Sequence, residues 1–68
     1  MDEIKTILDV KALLRRFGIV IYTGDRLTDY ELLEEEVREL YQEKLINITE
    51  FRAAMTVLQR AKRDNEEI

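Results

Sequence analysis

From Thr6 to Phe17 the apolar residues Ile7, Val10, Leu13, Leu14 and Phe17 return at intervals of three and four, the spacing that lines one face of an α-helix. The pattern predicts a first helix over about residues 6–17. Thr6, with Asp9 three residues on, has the form of a capping box, and Asp9 is an alternative N-cap for a slightly shorter helix. At the other end Arg15 and Arg16 suit the negative pole of the helix dipole. Gly18 can take the left-handed conformation that closes a helix.

The period then changes. Ile19-Val20-Ile21-Tyr22 is a β-branched and aromatic run of strand length, and the chain offers no second run of this kind to pair with it. It is therefore predicted as an extended connector laid across the helices, burying alternate side chains. Thr23-Gly24-Asp25-Arg26 turns the chain, with Gly24 free to adopt positive φ and Asp25 or Thr28 placed to cap the next helix.

Leu27, Tyr30, Leu33, Val37, Leu40 and Tyr41 form the stripe of a second helix over about residues 27–44, whose opposite side is almost all glutamate. Glu39 and Glu43 lie toward its C-terminal half, against the dipole, so packing of the stripe has to hold it. After the short apolar connection from Leu45 to Ile48, Thr49 is the expected N-cap of a third helix over about 49–62, where Phe51, Ala54, Met55, Leu58 and Ala61 repeat. The pattern fails after Ala61, and the tail from Lys62 to Ile68 is expected to fray. Without proline, internal repeat or low-complexity stretch, residues 1–68 read as one all-α domain: a compact three-helix bundle with an extended connector between helices 1 and 2.

Composition changes this picture mainly by exclusion. With 38% charged and 46% hydrophobic residues, the chain is apolar enough to fold and far too charged to span a membrane. A domain of this length buries only about 60% of its unfolded surface, so the core must be small. The absence of cysteine and histidine removes disulfides, thiolate or imidazole metal sites, and Cys-His or Ser-His catalysis. No nucleophile–base pair can be assembled, so a non-enzymatic chain with no cofactor and no metal is expected. The N-terminal MDEIKTILDV carries acids where a secretory leader needs positive charge, and no apolar run approaches the roughly 18 residues of a membrane span. A cytoplasmic location away from membranes is the expectation.

Charge argues both ways about partners. A net charge of −4 is unfavourable for a generic polyanion binder, whose affinity comes mostly from cations that replace counterions. The distribution is nevertheless uneven. Between Asp29 and Glu43 there are seven acidic residues and one basic one, Arg38, whereas Lys11, Arg15, Arg16 and Arg26 flank the connector.

Three clusters invite chemistry. Glu34, Glu35, Glu36 and Glu39 share helical spacing that a hard cation or acid–base pair would need, but a run of glutamates on one helix reads first as a solvated face. Tyr22-Thr23-Gly24-Asp25-Arg26 resembles a phosphate-cradling turn before a helix N-terminus, yet it has one glycine and an aspartate that competes for the same N–H groups, which favours a turn and cap. Lys11, Arg15, Arg16, Phe17, Tyr22 and Arg26 would supply guanidinium groups for phosphates and a ring for stacking if helix 1 and the turn are adjacent. The competing expectation is that Phe17 and Tyr22 are core and that the arginines cap helix 1 or pair with Asp25 and the helix 2 glutamates.

In order and spacing, D-V-x-x-L-L at Asp9 to Leu14, the Phe17-Gly18 pair, I-Y-T-G-D-R at Ile21 to Arg26, E-x-x-E-L-Y at Glu36 to Tyr41 and L-I…E-F at Leu45 to Phe51 resemble the YqgQ-like family, a group of short, largely uncharacterised bacterial proteins. The resemblance covers most of the chain, and I-Y-T-G-D-R is its most specific part. It implies a three-helix bundle and a role in binding single-stranded nucleic acid, RNA or DNA. On that reading Arg15, Arg16 and Arg26 contact phosphates, Thr23 and Gly24 add hydroxyl and backbone donors, and Tyr22 offers a stacking face. The alternative is a protein-interaction or homo-oligomerisation module in which Ile19 to Tyr22 pairs with a second copy or a partner strand.

Overall fold

Thr6 opens the first helix as the sequence suggests. Its Oγ1 accepts the Asp9 N–H at 3.2 Å while Asp9 Oδ2 accepts the N–H groups of Thr6 and Lys5 at 3.1 and 2.9 Å, a capping box with Thr6 as N-cap. In a computed structural model, which describes residues 3–66 and their side chains as far as residue 64, the helices are α1 (Ile7–Arg15), α2 (Arg26–Gln42) and α3 (Ile48–Glu66). The described residues contain no strand. The protein is an all-α three-helix bundle in which α2 and α3 pack most extensively and α1 lies against both.

Val10, Leu14, Leu33, Val37 and Leu58 are the largest side chains with essentially no solvent contact, and Leu13, Leu40, Ile46, Ala54, Met55 and Val57 complete the buried cluster. Most of these lie on the predicted stripes. Ile46 and Val57 do not: the first enters from the connection between α2 and α3, and the second widens the buried face of α3.

Both sharp turns are closed by the same device. Past α1, Ile19 N–H donates to the Leu14 carbonyl at 3.1 Å and Gly18 N–H to that of Arg15 at 2.9 Å, with Gly18 at φ 78°. Past α2, Leu45 N–H reaches Leu40 at 2.9 Å and Lys44 N–H reaches Tyr41 at 3.0 Å, with Lys44 at φ 64°. These are Schellman closures, the second with a lysine where glycine is the usual residue.

Three expectations are corrected. The third helix is capped by Asn47, not Thr49: Asn47 Oδ1 accepts from Glu50 N–H at 2.7 Å and Glu50 Oε1 accepts from Asn47 N–H at 3.0 Å, which places Thr49 inside the first turn. The glutamate run is not one solvated face, because Glu34 is only 6% exposed and its Oε1 accepts from Lys62 Nζ at 3.2 Å. α3 runs past the expected end near residue 62 to Glu66, and Lys62 joins this part of it to α2 through Glu34. Residues 67 and 68 of the expected tail lie outside the described residues.

Two outcomes follow from this packing. A domain of this length has a total stability of about 3–10 kcal/mol, and Leu58→Ala should remove about 2–5 kcal/mol of it through a cavity at a fully buried site. Urea unfolding should show a collapse of the midpoint, while Leu8→Ala, at a side chain 75% exposed, should stay within about 0.5 kcal/mol of the parent. The second concerns acid. Asp9 is held below the usual carboxylate value of 3.8 chiefly by the backbone N–H groups of Lys5 and Thr6, and Asp25 by the Thr28 hydroxyl and N–H. Folded values below the unfolded ones mean that this stabilisation is complete above about pH 4 and is lost as pH falls through the lowered values. Thermal melts should show that loss, and an Asp9→Asn/Asp25→Asn double variant, which keeps competent caps, should show a shallower one.

Candidate functional site

The connector between α1 and α2 owes its shape to two anchors and the alternation of an extended chain. At its start Ile19 N–H is held by the Leu14 carbonyl. At its end both donors of Thr23 converge on Asp29 Oδ1, the N–H at 2.8 Å and the hydroxyl at 2.6 Å. Between them Ile19 and Ile21 turn toward the core and are half-buried, whereas Val20 and Tyr22 face outward, 75% and 81% exposed. Among the described residues the backbone N–H groups of Val20, Ile21 and Tyr22 have no hydrogen-bond partner.

The connector and α1 enclose a groove of about 190 Å³. Leu14 and Leu33, both almost fully buried, belong to its floor, and Lys11, Arg15 and Tyr22 stand around its mouth. Its lining contains no acidic side chain. Lys11 and Arg15 are four residues apart on α1 and so share a helix face, about 6 Å apart along the axis.

The expected site residues divide here. Arg15 and Tyr22 are brought together with Lys11. Arg16, one residue further around α1, faces a second depression of about 290 Å³ shared with Glu3, Asp9 and Glu50, and its guanidinium carbon stands 5.9 Å from the centroid of the Phe17 ring. Arg26 opens α2 in an exposed position outside the groove lining. Among the described residues, none of Lys11, Arg15, Arg16 and Arg26 makes an ion pair, so the suggested neutralisation by Asp25 and the α2 glutamates does not occur.

Asp25 is occupied otherwise. Its Oδ2 accepts the Thr28 N–H at 2.9 Å and the Thr28 hydroxyl at 2.6 Å, which caps α2 and places a carboxylate where an anion at that N-terminus would sit. Thr23 is likewise engaged, and its N–H and hydroxyl proton are not free donors for a phosphate. Gly24, at φ 94°, is the turn residue and has open space around it. The glutamates diverge as well: Glu34 points inward to Lys62 while Glu35 and Glu39 are exposed, so they do not form one carboxylate cluster.

Asp29 is the residue that sequence reasoning missed. It is 6% exposed in the first turn of α2, yet in sequence it reads as one more acid of that helix. Its partner lies six residues upstream, a separation no capping motif predicts. The apolar floor under the arginine was unforeseen too, because Leu33 enters the groove from α2.

Comparison with known proteins supplies a family and no activity. The YqgQ-like family model matches residues 4–64. The protein described as "Uncharacterized protein YqgQ" from Bacillus subtilis (strain 168) is 36% identical over 55 residues, covering 81% of this chain and 78% of its own. No solved structure matches. With its helices, backbone closures and connector in place over the matched span, the chain belongs to the YqgQ-like family.

Proposed function

We propose that this protein is a non-enzymatic cytoplasmic module that binds single-stranded RNA or DNA in the groove between α1 and the connector. One observation carries the reading: Lys11, Arg15 and the exposed ring of Tyr22 surround a groove whose lining holds no carboxylate. Lys11 and Arg15 engage neighbouring phosphates from one helix face, and Tyr22 stacks on a base, a contact that tolerates any sequence because every base has a π-face. Arg26, exposed beyond the Gly24 turn and outside the groove lining, is a further cation for a longer strand. Thr23 acts through Asp29 and not by direct contact.

Magnitudes set the character of the binding. Each phosphate neutralised on a single strand contributes about 0.7 to the slope of log affinity against log salt. Lys11 and Arg15 therefore give a slope of only about −1.4, or about −2.1 with Arg26. Stacking, worth about 1–3 kcal/mol per base, then carries a share as large as the charges.

A different use of the same edge is motivated by the backbone N–H groups of Val20, Ile21 and Tyr22, which have no partner among the described residues beside the exposed Val20 side chain. A strand from a second copy or another protein would satisfy them. Light scattering that finds a monomer at every concentration removes the self-association form of this alternative.

Anisotropy titration of a labelled single-stranded oligonucleotide at low salt separates the contributions. Lys11→Ala/Arg15→Ala should weaken binding and flatten the salt slope by about 1.4. Tyr22→Ala should cost about 1–3 kcal/mol with the slope unchanged. No binding by the parent protein at low salt overturns the proposal.

A further inference from the structure

Asp29 is a buried carboxylate, and among the described residues it forms no ion pair. What compensates it is its place in the first turn of α2 together with two hydrogen bonds from a single residue, Thr23. Two short hydrogen bonds on one carboxylate oxygen anchor the end of the connector to α2. The position of the attachment matters. Thr23 directly follows Tyr22, so the two bonds that fix Thr23 also restrict the backbone from which the Tyr22 ring projects. Thr23 is itself exposed, but its N–H and hydroxyl are both tied to the buried Asp29, and Tyr22 stands out at 81% exposure beside the apolar floor made by Leu14 and Leu33. An aromatic ring at the edge of an apolar groove gains by folding down into it. The attachment opposes that collapse.

We infer that Asp29, acting through Thr23, is the positioning residue of the site: it holds the Tyr22 ring out of the groove, so that the ring and the groove floor are both open to a ligand. The functional half of this inference rests on the nucleic-acid reading above; the structural half does not. Removing Asp29 also has an electrostatic consequence of opposite sign. With a negative charge gone from near the groove, an anionic ligand should bind more tightly if the carboxylate only repels it, and less tightly if the carboxylate positions the ring.

The experiment uses the whole chain, with far-ultraviolet circular dichroism to establish that each variant is folded, and the same single-stranded oligonucleotide as probe. Asp29→Ala and Thr23→Val should each weaken binding by roughly tenfold, the equivalent of one charge-assisted hydrogen bond. The salt slope should not change, and Thr23→Ser, which keeps the hydroxyl, should bind like the parent. The double variant Asp29→Ala/Thr23→Val should be no worse than the poorer single one, because the two residues form a single attachment. In the ligand-free protein, nuclear Overhauser contacts between the Tyr22 ring and the Leu14 and Leu33 methyls should appear in the variants and be absent in the parent. Tighter or unchanged binding by folded Asp29→Ala, or the same ring contacts in parent and variants, overturns the inference. Where Asp29→Ala does not fold, the Thr23→Val and Thr23→Ser pair decides it by the same readouts. If the parent binds no oligonucleotide, the nucleic-acid reading fails, and the ring contacts alone still decide whether the attachment holds Tyr22 out.

Discussion

Val10, Leu14, Leu33, Val37 and Leu58 meet with almost no solvent contact where the three helices converge, and in 68 residues there is little else to fold around. Such a core has to be closed on every side by groups whose polar atoms are accounted for, since one unsatisfied donor or acceptor costs about 1–3 kcal/mol. No buried side-chain nitrogen or oxygen among the described residues lacks a partner. Each helix therefore begins on a side-chain cap, and the first two end on paired backbone closures. The two buried carboxylates, Asp29 and Glu34, answer the same requirement by contacts that also bind elements together, Asp29 the connector to α2 and Glu34 α2 to α3.

These two acids mark the boundary of what the sequence could disclose. Apolar periodicity is a local signal, and it located α1, α2 and α3 to within a few residues along with most of the core. Local chemistry also marked the stop at Gly18 and narrowed the first two caps to Thr6 or Asp9 and to Asp25 or Thr28, of which Thr6 and Asp25 are the caps observed. Burial of a carboxylate is not local. Glu34 is inside because Lys62, 28 positions away, arrives beside it, and the glutamates next to it look identical in sequence. Where two residues are both suitable caps, as at Asn47 and Thr49, the choice follows from where the chain leaves the α2 closure, and that depends on Ile46 reaching the core.

The site was partly legible for the same reason. Arg15 and Arg16 look equivalent as a pair of cations, but successive residues of a helix point about 100° apart, because 3.6 residues complete one turn. Packing of α1 through Val10, Leu13 and Leu14 then decides that Arg15 faces the connector and Arg16 faces Glu3, Asp9 and Glu50. The strand-like run of Ile19 to Tyr22 predicted an alternation of buried and exposed side chains but not its phase, and it is Ile19 and Ile21 that turn toward the core while Tyr22 is exposed. It carried no information about the anchor at Thr23, because a bond spanning six residues to another helix depends on the path of the turn between them.

How a chain of net charge −4 would hold a polyanion is a question of distance more than of total charge. The Debye length is about 8 Å at physiological ionic strength, so a groove lined by Lys11 and Arg15 without a carboxylate is a different electrostatic environment from the one around Arg16. Two cations give modest attraction, and in the proposed interface the remainder has to come from the ring of Tyr22. A ring that must first be ordered loses part of its stacking gain to side-chain entropy, whereas one already held in place does not. Affinity in such an interface then depends less on the number of cations than on the orientation of a single aromatic side chain. In the proposed interface that orientation is governed by Asp29, a buried acid of the wrong sign for a polyanion, whose carboxylate accepts both donors of Thr23.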